Sequence, residues 1–386
     1  MSKNAARKAR ARRIRTTQIQ AIRGIIAYGK GILSLVDPRN SVAQEGNGRS
    51  LTSALPNVVS LFCGAGGLDW GFRKEGFELP LAVDLSEAAI RTHKRNSLAK
   101  DAIRADVVEL GAPGILDAVL DRVPAGSRIG VIGGPPCQGF SRANARSSTD
   151  DPRNGLPRLY LDVVELLKSR FTVEFMVFEN VLGMRDVKHA TTYASLVHGL
   201  ESLGFTVYEH VLCALDFGVP QTRKRIVLAA MRQGGGYAEV KPRRRKGLLT
   251  VEEVIAGLAS PLFFSRTATP DTIPVHPNHW TMNPRSARFR SPIDTWRKTR
   301  SFKRLEWNKP SPTIAFGNRE IHVHPDGTRR LSIYEAMLLQ GFPHDFVLEG
   351  NFSEQVEQVS NAVPPPLARS VASAVKRSLR GQRDGR

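Results

Sequence analysis

The sequence predicts a doubly wound α/β core carrying a smaller inserted domain near its C-terminal end. Three observations carry the prediction. From residue 58, short apolar runs bounded by Gly and Pro alternate with amphipathic stretches, the pattern of parallel strands joined by crossover helices. At Gly234-Gly235-Gly236 that pattern breaks, and a basic stretch rich in Pro, Arg and His follows. Helical periodicity then returns at 332–340 and 366–379. No internal repeat interrupts the series.

The elements follow in order. Residues 1–50 hold much Arg and Ala and few large apolar side chains, so they read as a basic arm, either a solvated tail or a contact to an anionic partner. Strands are expected at 58–62, 81–84, 128–132, 175–178, 207–214 and 226–231, with helices at 86–96, 159–169 and 191–203. The domain plan is therefore a core of 57–232 plus 310–386, with a smaller domain or large insertion at 233–309 between its parts.

Composition narrows the function classes. The 386 residues suffice for one large and one smaller domain, and 41% hydrophobic with 24% charged is the balance of a soluble protein. No apolar run approaches the ~18 residues of a membrane span. No secretory-type apolar core of ~7–15 residues follows the basic start, although an organelle transit peptide shares that Arg-rich look. The three cysteines, Cys63, Cys137 and Cys213, are odd in number and far apart, which fits a reducing compartment rather than a disulfide frame. The net charge of +20 is concentrated: 1–50 carries 11 basic and 2 acidic residues, 235–309 carries 15 and 6, and 367–386 carries 6 and 1. The remainder is close to neutral. Basic segments flanking a neutral core suit a protein that grips a polyanion while its core holds a small ligand, so nucleic acid is the leading partner.

Chemistry concentrates where strands end, the ligand edge of an open parallel sheet. After the first strand stands Phe62-Cys63-Gly64-Ala65-Gly66-Gly67-Leu68, whose glycines permit tight turning and close backbone approach. Asp84 closes the second strand, placed for ribose hydroxyls, and Asp106 is placed for an adenine amine or is a plain surface aspartate. The loop is not G-x-G-x-x-G, which favours an adenosyl ligand without a pyrophosphate. After the 128–132 strand comes Gly133-Gly134-Pro135-Pro136-Cys137-Gln138-Gly139-Phe140-Ser141, in which prolines stiffen the approach to a thiol and glycines leave room for a planar ligand. Phe178-Glu179-Asn180-Val181 puts a carboxylate at the mouth of a buried strand, where it needs an ion-pair partner or a job.

Together these motifs resemble the cytosine-5 DNA methyltransferase family: its F-x-G-x-G-G loop, its P-C-Q nucleophile loop and its E-N-V motif. Gln221-Thr222-Arg223-Lys224-Arg225 is similar to the family's Q-x-R-x-R. Pro310-Ser311-Pro312-Thr313-Ile314, Arg330-Leu331-Ser332, Gln340-Gly341-Phe342-Pro343 and Gln358–Pro364 resemble its later motifs, in the family's order. Tyr334 departs from the pattern, which has Arg there, and Glu335 is retained. The resemblance implies a Rossmann-like core, S-adenosyl-L-methionine as cofactor and double-stranded DNA as partner. It implies Cys137 as a transient nucleophile at carbon 6 of cytosine, Glu179 on the ring nitrogen and amine, and Arg225, with Arg223 behind it, on the base carbonyl and Glu179. Phe62, Gly64, Gly66, Gly67, Leu68, Asp84, Asp106, Pro135, Asn361 and Val363 are then expected at the cofactor, and Gln221 at the DNA.

A buried target atom requires base flipping, and the polar stretch after Cys137, with Gln138, Ser141, Arg142, Arg146 and Arg153, has the composition of a closing loop or of an exposed linker. Arg285, Arg288, Arg290, Arg297 and Arg304 are candidates for reading guanine edges or gripping phosphate, with Trp280 and Trp296 as packing. His276 and His279 lack a nearby cysteine, so no metal is expected. A monomer in the bacterial cytoplasm, at the nucleoid, is expected, with or without a cognate restriction endonuclease. Two alternatives stay open: an RNA cytosine-5 methyltransferase of the same fold, and a non-catalytic DNA-binding regulator.

Overall fold

The computed structural model describes residues 54–386, apart from 137–154, 235, 243–246, 266–271, 274, 291–301, 315–321 and 385–386. The expected basic arm lies outside the described residues. In chain order the elements are β1 (Asn57–Leu61), α1 (Gly67–Lys74), β2 (Leu81–Asp84), α2 (Glu87–Arg95), β3 (Asp101–Arg104), α3 (Val107–Leu120), β4 (Arg128–Gly133), α4 (Leu156–Lys168), β5 (Thr172–Asn180), α5 (Ala190–Ser202), β6 (Phe205–Cys213) and β7 (Lys224–Arg232). After them come α6 (Val251–Ile255), β8 (Leu262–Phe263), β9 (Trp280–Thr281), α7 (Ile333–Leu339), α8 (Phe352–Asn361) and α9 (Pro365–Asp384).

Seven strands make one sheet in the order β3-β2-β1-β4-β5-β7-β6. β1 to β5 pair in parallel, whereas β7 runs antiparallel between β5 and β6. The doubly wound core expected from sequence is present, and β7 alone among these seven strands runs against the others. Only residues 214–223 join β6 to β7, less than the dozen or more residues of a crossover, so the chain must turn back. β5, at the centre, is buried from Val173 to Asn180, which is why its sequence is an almost continuous apolar run. Gly130 of β4 is required by packing: a Cβ there would lie 2.2 Å from the Phe175 ring, which stacks on Phe72 at 5.9 Å.

Helices cover both faces, as a doubly wound sheet demands. α3, α4 and α5 bury Ile115, Val119, Tyr160, Val164 and Leu200 against one face. α1 and α9 bury Leu68, Phe72, Leu367, Val371 and Val375 against the other. α3 is two helical pieces joined at Gly111 (φ 58°), with Pro113 just beyond, and that Gly-Ala-Pro-Gly run hid it from periodicity analysis.

A third core joins Val251, Ile255 and Leu305 to Ile314, Leu331, Met337, Phe352 and Val356. Among the described residues, Val251, Ile255 and Leu305 of the expected insertion share this core with residues of the later segments, while Val240 packs in the core beside α9. α9 returns to the sheet and packs on the face that α1 covers. Among the described residues no helix is long and apolar enough to cross a membrane.

Candidate active site

The carboxyl ends of β1, β2, β4 and β5 meet at one edge of the sheet. At β1 the chain leaves through Phe62, a non-glycine residue at φ 54°, and turns so that Gly66 N–H donates to the Cys63 carbonyl at 2.9 Å. A side chain held in that left-handed region costs about 1–3 kcal/mol and marks a loop that its surroundings dictate. Asp84 accepts from Gly64 N–H at 2.8 Å through one oxygen and from Ser86 N–H at 2.8 Å through the other. It thus staples the turns after β1 and β2 together, and each oxygen retains a lone pair for a ligand. Asp106 caps α3 by accepting from Val108 N–H at 2.8 Å. Gly64 (φ 52°) faces open space, with no heavy atom within 4 Å of where a Cβ would stand.

Two further residues expected at the cofactor turn their side chains inward. The side chains of Leu68 and Val363 belong to the buried core against α9; what reaches the loop is the Val363 carbonyl, 2.1 Å from where a Cβ on Gly67 would fall. Asn361 ends α8 exposed, and its carbonyl accepts from Arg223 Nη2 at 3.4 Å. Conversely, Leu85 and Val108 were missed. They are 60% and 58% exposed, directly after Asp84 and beside Asp106. For Leu85, an apolar residue directly after the acid that closes a strand is the signal; Val108, two residues past Asp106 in the first turn of α3, carries none.

At the neighbouring β4 and β5 ends the register sets Gly133 beside Phe178, so the loop leaving β4 passes Glu179. A Cβ on Gly134 would lie 3.0 Å from Glu179 Oε2, and Asn180 Nδ2 donates to the Pro135 carbonyl at 3.3 Å. Cys137, Gln138, Ser141, Arg142, Arg146, Arg153 and Arg297 lie outside the described residues. Glu179 is buried, with its Oε1 3.0 Å from Arg225 Nε. Burial pushes its pKa up, and the opposing pull of Arg225 and then Arg223 does not cancel that push. Cys63 is a different kind of thiol: burial first, then the charges of Asp69 and Asp84, raise its pKa well above the usual value, leaving it un-ionised.

Arg225 also donates from Nη1 to its neighbour's carbonyl, Lys224 O, at 2.8 Å. Arg223 is buried and donates to the Ile314 carbonyl at 3.4 Å, so it braces β7 against the later segments and acts on Glu179 from behind. Gln221, expected at the DNA, is fully buried: its amide donates to Leu339 O at 3.1 Å and Gln340 Oε1 at 2.7 Å, and accepts from Ile314 N–H at 3.2 Å. It is a strut between the sheet and the third core.

In the second lobe Arg285, Arg288 and Arg290 are exposed on or beside the turn Ala287–Arg290. The Arg288 and Arg330 guanidinium carbons lie 4.8 and 4.9 Å from the Phe302 ring centre. Arg304 is half-buried in a bridge to Val323. Tyr334 stacks on His276 at 4.1 Å and its hydroxyl meets His344 Nδ1 at 2.9 Å. Glu335 takes a two-pronged pair from Arg329, both contacts at 2.8 Å, which keeps this buried carboxylate satisfied with tyrosine at position 334.

Comparison with known proteins agrees with this geometry. A model of the C-5 cytosine-specific DNA methylases matches residues 56–377. The Type II methyltransferase M1.HphI of Haemophilus parahaemolyticus is 33% identical over 334 residues, covering 82% of this chain and 86% of that protein. M.MthTI of Methanothermobacter thermautotrophicus is 30% identical over 348 residues, covering 84% and 98%. Among solved structures, a prophage-encoded candidate DNA modification methyltransferase of E. coli superposes with a TM-score of 0.69 at 23% identity, covering 84% and 100%. The Dnmt2 methyltransferase of S. pombe gives 0.58 at 14% identity, covering 84% and 99%. At such identities these two structures speak for the fold alone.

Proposed function

The chain belongs to the C-5 cytosine-specific DNA methylases and is a DNA (cytosine-5)-methyltransferase; from that premise we propose that it works on a flipped cytosine within a specific double-stranded sequence, through a covalent bond to Cys137. The observation that carries the reading is Glu179: a buried carboxyl with a raised pKa, beside the loop that leads into Cys137 and held by Arg225.

The residues at the β1 and β2 ends fit S-adenosylmethionine. Gly64 opens onto free space, Asp84 and Asp106 have acceptor capacity for ribose and adenine, and the exposed Leu85 and Val108 suit the faces of a purine. Bound there, that cofactor supplies the electrophilic methyl group that carbon 5 accepts.

Carbon 5 of cytosine is a poor nucleophile. Addition of the Cys137 thiolate to carbon 6 forms a C–S bond and moves the ring electrons toward N3. A carboxyl biased toward its protonated form shares its proton with N3, which limits the negative charge of the adduct. Arg225 holds the base carbonyl and fixes the rotamer of Glu179, while Arg223 supports both from the interior. Loss of the carbon 5 proton to a base or water then expels Cys137, and the C–S bond breaks. Recognition lies in 233–309, through Arg285, Arg288 and Arg290, and the stretch after Cys137 closes on the DNA. The enzyme acts as a monomer in a bacterial cytoplasm, as the modification half of a restriction–modification pair or alone.

Bisulfite sequencing of plasmid from cells expressing the chain tests this, beside Cys137→Ala. We expect one short motif protected from conversion, and no protection with the variant. DNA containing 5-fluorocytosine in that motif should become covalently attached to the protein. Unmethylated plasmid together with newly methylated tRNA would refute the DNA reading, and methylation without a trappable adduct would refute the covalent one.

A further inference from the structure

Beneath the glycine turn lies a polar chain that the methyl-transfer chemistry does not use. Ser60 Oγ of β1 donates to Asp69 Oδ1 at 2.6 Å. Asp69 Oδ2, in the first turn of α1, lies 3.0 Å from His93 Nε2 of α2, at ion-pair distance though out of hydrogen-bond alignment. All three side chains are essentially inaccessible to water.

The imidazole is the floor of the turn. Gly66 adopts φ 81°, and a Cβ there would stand 2.8 Å from His93 Nε2 and 2.2 Å from Leu98 Cδ1. The chain therefore rests directly on His93, and the three linked residues tie together β1, α1 and α2. On the next position of α2, Thr92 Oγ1 donates to Gln358 Oε1 at 2.6 Å and accepts from Glu349 N–H at 2.9 Å. The helix that carries His93 is thus fastened to the later segments as well. Burying an acid and an imidazole costs more than burying apolar groups of equal volume, so what the pair contributes is direction.

We propose that Asp69 and His93 are positioning residues that set the height of Gly66 and Gly67, and thereby cofactor affinity, without touching the cofactor. The inference rests on the reading that this loop receives S-adenosylmethionine. Displacing a positioned backbone by about 1 Å can cost up to about a hundredfold.

The test is calorimetric titration of S-adenosylhomocysteine into the full chain and into His93→Ala, His93→Gln and Asp69→Asn, with DNA affinity measured at fixed salt in parallel. We expect about tenfold or greater weakening for His93→Ala and Asp69→Asn, partial recovery with His93→Gln, and DNA affinity within about twofold throughout. His93→Gln keeps a polar side chain on Asp69 and carries the test if the alanine variant does not fold. Three outcomes overturn the proposal. Ligand affinity is unchanged in folded variants; or ligand and DNA affinity fall in equal proportion; or the protein carries one zinc per chain that Cys63→Ser removes, since ligand atoms of Cys63, Asp69 and His93 lie within 4.8 Å of one another. Failure of the parent chain to bind S-adenosylhomocysteine would instead bring down the cofactor reading, and this proposal with it.

Discussion

Glu179→Gln separates the chemistry of the site from its stability. The replacement keeps shape and leaves an amide oxygen to face Arg225 Nε, which sits 3.0 Å from Oε1 in the parent chain. Only the charge and the transferable proton go. If Glu179 shares a proton with the ring nitrogen, turnover should fall by about a hundredfold to ten-thousandfold, equivalent to about 3–5 kcal/mol of barrier. Substrate affinity should change little. Stability should move the other way. Burial raises the Glu179 pKa despite Arg225 and Arg223, so the fold prefers the neutral form. A raised carboxyl pKa contributes stability that is full below the unfolded value of 4.5 and is lost as pH rises through the folded value. The variant should therefore melt above the parent at pH 8, with the gap closing as pH falls. Transfer of a labelled methyl group into plasmid DNA under single turnover, beside thermal melts from pH 5 to 8, would decide it. Activity within tenfold of the parent, or a variant that melts lower at pH 8, refutes the argument.

Three further outcomes follow from the same structure. Gly67→Ala drives a Cβ into the Val363 backbone carbonyl, 2.1 Å away, and should cost about 1–3 kcal/mol in denaturant titrations while abolishing S-adenosylhomocysteine binding. Arg288→Ala with Arg290→Ala should flatten the dependence of log DNA affinity on log salt by about 0.9 for each phosphate no longer neutralised, and an unchanged slope would remove both from the interface. Burial lowers His322 from 6.5 to about 4, so the unfolded chain takes up a proton first and stability is lost as pH falls from about 6.5 toward 4. His322→Gln should recover up to about 3 kcal/mol of that acid sensitivity in melts at pH 4.5, relative to pH 7.5.

Sequence carried much of the fold because strong local signals coincide with the elements. The Val/Ile runs of β1, β4 and β5 are buried on both faces, and the glycine-rich turn follows β1 directly. What stayed illegible was non-local or locally masked. β3 is four residues, Asp-Ala-Ile-Arg, too short and too polar at its ends to register. Nothing in β7 itself declares its direction; the shortness of the preceding connection does. Gln221 looked like a polar group facing DNA, and only the third dimension brings Gln340, Leu339 and Ile314 around its amide. Leu68 and Val363 sit in motifs that frame the ligand edge yet contribute side chains to the core, so a motif's position did not reveal which of its atoms face the ligand. Tyr334 shows the same limit from the other side: its partners His276 and His344 come from segments far apart in the chain.

The glycine turn near residue 66 is closed from below by parts of the polypeptide made almost three hundred residues later. Gly67 abuts the Val363 carbonyl, and Gly71 packs against the Ala368 and Arg369 backbone. On the ribosome, then, the turn that leaves β1 reaches its final packing only once residues 363–369 have emerged.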